Sequence, residues 1–156
     1  MVTRMLLDAT LAALHYLSIF LLIVFLAAEA VLCKPELISA TVIRRLGIYD
    51  ALYFGFAMAA LASGLARLFF GVKGAAFYTS SFFFWAKIAA FVLIALLSIP
   101  PTRAFARWRK RLRQNATALP SPEEITGVRK WVMREAHALV LLPIFAVLMA
   151  RGFGQL

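Results

Sequence analysis

Apolar residues dominate four long runs of the chain, and charged residues gather between the runs. The runs cover about residues 9–32, 49–70, 82–101 and 132–150. Each has close to the roughly 20 helical residues that cross the hydrocarbon core of a bilayer. The pattern predicts an all-α integral membrane protein, a bundle of four transmembrane helices that forms one domain over residues 1–156.

The composition favours the same fold class. The chain has 156 residues, of which 63% are hydrophobic and 15% charged. A soluble domain of this size cannot bury so much apolar surface, so the composition excludes a disordered chain and an ordinary soluble enzyme. The single cysteine, Cys33, excludes an internal disulfide, and we expect a buried thiol there.

A signal peptide is an alternative interpretation of the first run, because Ala28 and Ala30 have the spacing of a cleavage site. The apolar part of a signal peptide has about 7–15 residues, which is shorter than this run. We therefore expect the run to be a true membrane span.

Lysine and arginine residues gather in the first and third connections. The positive-inside rule then predicts cytoplasmic connections there, including a basic loop between the third and fourth helices, with both termini outside. From Arg103 to Arg113 the third connection is basic, with interleaved aromatic residues. This pattern predicts binding to anionic lipids at the inner membrane surface. The net charge of +10 thus reflects topology and lipid contact, and we expect no nucleic-acid partner. These features predict a multi-pass protein of a bacterial inner (plasma) membrane.

Two local signals refine the prediction of where the fourth helix begins and where it bends. Ser121, Pro122 and Glu124 have the pattern of an N-cap, a first-turn proline and a capping-box glutamate, so this helix should begin near Pro122. Pro143 lies within the span and should kink the helix and free a carbonyl near Leu139.

Ionisable side chains inside a membrane are costly, so they are the candidate functional residues. Helical spacing puts His15 and Glu29 on one face of the first helix, and Asp50 and Arg67 on one face of the second. We expect both faces to look into the bundle. By depth, the candidates divide into an outer set of His15, Arg67 and Lys87 and an inner polar layer of Glu29, Asp50, Arg134, Glu135 and His137.

Structural roles compete with functional ones at these positions. His15 could be a hydrogen-bonded interior histidine, and Lys87 and Arg67 could extend to the outer headgroups. Glu29 could pair with Arg44 or Arg45 at the inner surface.

The two histidines differ in depth. A rise of about 1.5 Å per residue puts His15 about 9 Å and His137 about 20 Å from the outer surface. One haem bound by both histidines of a single chain is therefore disfavoured, whereas Lys87 is closer to His15 in depth.

Several short segments resemble a bacterial membrane family of unknown function, domain-of-unknown-function family twenty-two fourteen. They are Leu14-His15-Tyr16-Leu17, Ala28-Glu29, the stretch from Gly64 to Gly74, Phe84-Trp85-Ala86-Lys87 and the stretch from Leu97 to Pro101.

The chain is more distantly similar to the HemJ-type protoporphyrinogen oxidases and the copper-resistance D membrane proteins. The similarity lies in the order of the spans, a Leu-His pair early in the first helix and a lysine early in the third. HemJ-type proteins bind haem b, so the resemblance implies functional roles for His15 and Lys87, with Arg67 at the basic end of the second helix. The motif that follows the first histidine in that family is absent here.

Three functions follow as hypotheses, and the sequence leaves enzymatic activity and catalytic residues open. The first is a redox protein that binds haem b, with His15 on the iron and Lys87 or Arg67 on the propionates or as a second ligand. The second is a non-catalytic assembly subunit, and the third a small transport protein for an ion, metal or solute whose path joins the two polar layers. We also expect a homodimer.

Overall fold

The computed structural model describes residues 2–72 and 74–154. The elements of these residues are all helices, which confirms the predicted fold class. They are α1 (Val2–Leu32), α2 (Ala40–Phe70), α3 (Gly74–Thr79), α4 (Phe82–Gln114), α5 (Pro122–Leu139) and α6 (Leu141–Ala150).

Four helical segments are long and apolar enough to cross a membrane, as the apolar runs predict. They are α1, α2, α4 and the combined length of α5 and α6, with 31, 31, 33 and 29 residues. Many large apolar side chains on these helices are exposed, including Phe20 and Phe54, each at 65%. Such side chains would face lipid in a bilayer.

The helices extend beyond the predicted spans. The largest difference is in α4, where the predicted span ends at residue 101 but the helix continues to Gln114 through Pro100 and Pro101. Packing explains the continuation, because Phe105 and Trp108 beyond the two prolines are fully buried. Burial of two aromatic side chains outweighs the loss of backbone hydrogen bonds at the prolines.

The long helices alternate in direction, so the bundle has two distinct ends. We call the end that holds Val2 and Gly154 the terminal end, and the end that holds residues 33–39 and 115–121 the loop end. A backbone hydrogen bond of 2.8 Å from Phe82 N to Gly154 O joins the start of α4 to the chain after α6. Helix α1 packs against α2 and α5, and α4 packs against α2, α5 and α6.

The densest core lies toward the loop end. Ile43, Leu46, Phe105 and Trp108 have no exposed surface there, and Ile125 has 1%. The predicted burial of the single thiol is confirmed, because Cys33 joins this core and is fully buried.

The start of α5 agrees with the sequence signal, but one predicted contact is wrong. Ser121 Oγ accepts a hydrogen bond of 3.2 Å from Glu124 N, and Pro122 is in the first turn. Glu124 does not complete a capping box. Its carboxylate accepts hydrogen bonds of 2.8 Å from Trp108 Nε1 and Arg111 Nη1, so it joins α5 to α4.

Replacing Ser121 by Ala should lower the free energy of unfolding by about 1 kcal/mol, because an amide at the start of α5 loses its acceptor. Equilibrium denaturation of the detergent-purified protein measures this change. Ser98→Ala is the control, since the Ser98 hydroxyl only donates to Ala95 O within its own helix. An equal loss in both variants would contradict the capping role.

The predicted break near Pro143 is also confirmed. The helix is interrupted at Val140, between the end of α5 at Leu139 and the start of α6 at Leu141. Pro143 has no amide hydrogen for the carbonyl of Leu139, and this is the physical reason for the break. The interruption lies just beyond Glu135, on the terminal side of the inner polar layer.

Candidate functional site

His15 lies between α1 and α2, half-buried in the terminal half of the bundle. Its Nδ1 atom is 2.9 Å from Ala60 O and 3.1 Å from Ser63 Oγ. A carbonyl oxygen can only accept, so Nδ1 carries the hydrogen in the Ala60 contact. The neutral imidazole then has its lone pair on Nε2, the state in which a histidine binds a metal.

Small residues on α2 make room for this ring. Ala60 is buried, and a Cβ added at Gly64 would lie 3.1 Å from His15 Cε1. Glycine therefore lets α2 approach the imidazole closely. The small residues at i and i+4 predict this kind of approach.

Two cationic side chains lie near the imidazole. Lys87 of α4 and Arg67 of α2 are both close enough to act electrostatically on His15, and Arg67 also acts on Lys87. The Arg67 guanidinium carbon lies 5.8 Å from the centre of the Tyr16 ring, while its Nε is buried without a hydrogen-bond partner. The structure thus brings together the three residues of the outer set.

A second polar group lies toward the loop end, where α1, α2 and α5 meet. Glu29 is 2% exposed, Glu135 is 1% exposed and Tyr53 is 6% exposed. The Tyr53 hydroxyl interacts with Glu135, and Glu29 and Glu135 are close enough to repel each other when charged. Oε1 of each glutamate is buried and has no hydrogen-bond partner.

These glutamates are not neutralised by neighbouring cations. Within residues 2–72 and 74–154, the ion pair found is that of Arg111 and Glu124. The expected pairing of Glu29 with Arg44 or Arg45 is wrong, because both arginines are exposed whereas Glu29 faces the interior.

Asp50 is a third acidic side chain near the two glutamates. It is half-buried, and its Oδ1 accepts a hydrogen bond of 2.6 Å from Thr102 Oγ1 on the exposed side of α4. Arg109 of α4 is close enough to Asp50 to interact with it electrostatically. Asp50 therefore has both a hydroxyl donor and a nearby cation, whereas Glu135 has the Tyr53 hydroxyl but no ion pair among the described residues.

Arg129 is a neighbour of this group that the sequence does not reveal. Its Nη1 donates to Ala30 O, and it also lies 3.4 Å from Cys33 O, so the guanidinium binds the carbonyl end of α1. In the sequence, Arg129 is one of many basic residues in the third connection, and nothing there distinguishes it. Only the packing of α1 against α5 gives it this position.

His137 and Arg134 have the predicted depth but do not join the inner group. Both side chains are exposed. His137 Nδ1 lies 2.5 Å from Met133 O, and the Arg134 guanidinium lies 4.8 Å from the centre of the Trp131 ring. Helical phase explains the difference, since a residue two positions after Glu135 is rotated by about 200° around the helix.

Metal binding by clustered side chains has no geometric basis in the described part of the chain. No group of three or more His, Cys, Asp and Glu residues there is arranged to hold a metal ion. A pocket of about 130 Å³ lies instead at the loop end, between α2 and α4. It is lined by Arg44, Arg109, Leu112 and Arg113.

Family comparison agrees with the membrane fold. The model of a family described as "Predicted membrane protein (DUF2214)" matches residues 7–154. The chain belongs to the DUF2214 family. No curated protein and no solved structure shows a significant match to the chain.

Membership of DUF2214 confirms the family predicted from the short segments around His15, Gly64 and Lys87. Together with the four membrane-length helices, it identifies a multi-pass membrane protein. The description of DUF2214 names no activity. The distant similarity to HemJ-type and copper-resistance D proteins stays a prediction.

Proposed function

We propose that this protein is a membrane redox protein that binds haem b through His15. The observation that carries the proposal is the contact between His15 Nδ1 and Ala60 O, 2.9 Å apart. A hydrogen bond from Nδ1 to a carbonyl orients the ring and leaves Nε2 as the ligand atom. Axial imidazole ligation of this kind is common in haem proteins.

The charges around His15 suit the rest of a haem. Lys87 and Arg67 are the nearest cations, and the buried Nε of Arg67 is a donor without an acceptor. Haem propionates are anionic acceptors that would satisfy such donors. A bound haem b supplies one-electron redox chemistry, and the chain supplies the axial nitrogen and the opposing charges.

Absorption spectroscopy of the detergent-purified protein, expressed with a haem precursor, tests this proposal. We expect a Soret band in the oxidised protein and sharp α and β bands after reduction with dithionite, at close to one haem per chain. Colourless protein from cells that load a control cytochrome with haem would overturn the proposal.

We further propose that the loop end faces the cytoplasm in a bacterial inner membrane, where it binds anionic lipid. The support is the pocket formed by Arg44, Arg109 and Arg113. The Arg109 side chain also reaches the backbone of α2, where its Nη1 donates a hydrogen bond of 3.4 Å to Gly47 O. Three guanidinium groups around one pocket suit a lipid phosphate.

The double variant Arg44→Gln/Arg113→Gln should lose part of the stabilisation that anionic lipid gives. A basic residue near an anionic surface contributes about 1 kcal/mol, so we expect a loss of about 2 kcal/mol for the pair. Thermal unfolding in mixed micelles with phosphatidylglycerol or phosphatidylcholine measures the difference. Arg4→Gln/Arg151→Gln at the terminal end is the matched control, and an equal loss there would contradict the pocket's role.

A further inference from the structure

We infer that Glu29 and Glu135 form a proton-binding carboxyl pair within the membrane-spanning part of the bundle. The two side chains reach the interior from α1 and α5 and are at most 2% exposed. Each has an Oε1 atom that is buried and without a hydrogen-bond partner. The ligand assigned to this site is the proton, and the site is separate from the one at His15.

The first argument is the cost of two buried charges. A carboxylate removed from water is strongly destabilised unless a cation or several donors neutralise it. Glu29 and Glu135 have no ion pair among the described residues, and they lie near enough to repel each other when both are charged. Protonation removes both penalties at once.

The second argument is the charge on the surrounding helices. On α2, Asp50 adds a further negative charge that acts on both glutamates. On α4, Arg109 faces Asp50. On α5, the Arg129 guanidinium is held by the carbonyls of Ala30 and Cys33. The nearby cations are thus engaged by other groups, and the remaining neighbours of the glutamates, Tyr53 and Cys33, are weak acids.

The third argument concerns hydrogen bonding. A carboxylate only accepts, whereas a protonated carboxyl also donates one hydrogen. A protonated pair can therefore donate within the interior, where Tyr53 already interacts with Glu135. Asp50, which acts electrostatically on both glutamates, accepts a hydrogen bond from Thr102 on the exposed side of α4.

The carboxyl pair does not depend on the haem proposal. Glu29 is 14 residues after His15 on α1, which corresponds to about 21 Å along a helix axis. The pair therefore remains testable in a protein that binds no haem. His15→Ala serves this purpose, because it leaves the loop end unchanged.

Infrared spectroscopy of the full-length protein in lipid nanodiscs tests the inference. At pH 7 we expect a C=O stretching band of protonated carboxyl groups that moves to lower frequency in D₂O. Glu29→Gln and Glu135→Gln should each remove about half of this band, and the double variant nearly all of it. Glu36→Gln is the matched control, because Glu36 is exposed in the first connection, and His15→Ala should also keep the band.

Three outcomes would overturn the assignment. The first is a wild-type spectrum without a protonated-carboxyl band at pH 7, which needs no variant to fold. The second is a band that survives in the folded double variant. The third is a band that disappears when Na⁺ or K⁺ is added at constant pH, since the carboxylates would then bind a metal cation in place of protons. Gln has nearly the shape of a protonated Glu, so the variants should fold like the wild type and elute with it in size-exclusion chromatography.

Discussion

The Soret band of the purified protein should disappear completely in His15→Ala and persist in His137→Ala. The His15 ring is held through Nδ1 by Ala60 O and Ser63 Oγ, which leaves the lone pair of the neutral imidazole on Nε2. Alanine removes the only proposed iron ligand of the terminal half. His137 is exposed on α5, where its Nδ1 lies against Met133 O.

The measurement is haem content per folded chain, from the pyridine haemochrome spectrum of monodisperse protein. Lys87→Met should keep the iron ligand but weaken retention of haem, because one cation near the propionates is lost. Full haem content in His15→Ala, or equal loss in both histidine variants, would contradict ligation by His15.

Trp108→Ala should have the largest effect on stability, a loss of about 3–5 kcal/mol in the free energy of unfolding. The indole is fully buried, its ring centre is 5.6 Å from that of Phe105, and its Nε1 donates to Glu124 Oε1 over 2.8 Å. Alanine leaves a large cavity in the loop-end core and removes a donor from a carboxylate that joins α4 to α5.

Reversible unfolding in mild detergent, followed by circular dichroism, measures this loss. Trp131→Ala is the matched control, because Trp131 is 36% exposed and its ring stacks with Arg134. We expect less than about 1 kcal/mol for the control, as is usual for a partly exposed side chain outside a core. Similar losses in both variants would show that Trp108 does not anchor the core.

The fold could be predicted largely from hydrophobic runs and local signals. Four apolar segments predict the spans, Ser121 with Pro122 predicts the start of α5, and Pro143 predicts the break at Val140. The length of α4 could not be predicted in this way. The apolar run ends at residue 101, and the burial of Phe105 and Trp108 explains why the helix continues beyond it.

The candidate site was only partly predictable. Depth and helical phase group His15 with Arg67, because both lie on the facing sides of adjacent helices. The predicted depth alone does not place His137 correctly, because its position around the helix turns the side chain away from Glu135. The roles of Tyr53 and Arg129 depend on contacts between α1, α2 and α5, and no local sequence signal encodes such contacts.

The uneven distribution of the core has a mechanical consequence. Large side chains fill the loop end, whereas Ser18, Ala60 and Ala90 are among the buried residues elsewhere in the bundle. Small buried side chains make fewer dispersion contacts per residue than large ones, so the interior of the terminal half contributes less to holding the bundle together. Local opening of the bundle is therefore expected at the terminal end before the loop end.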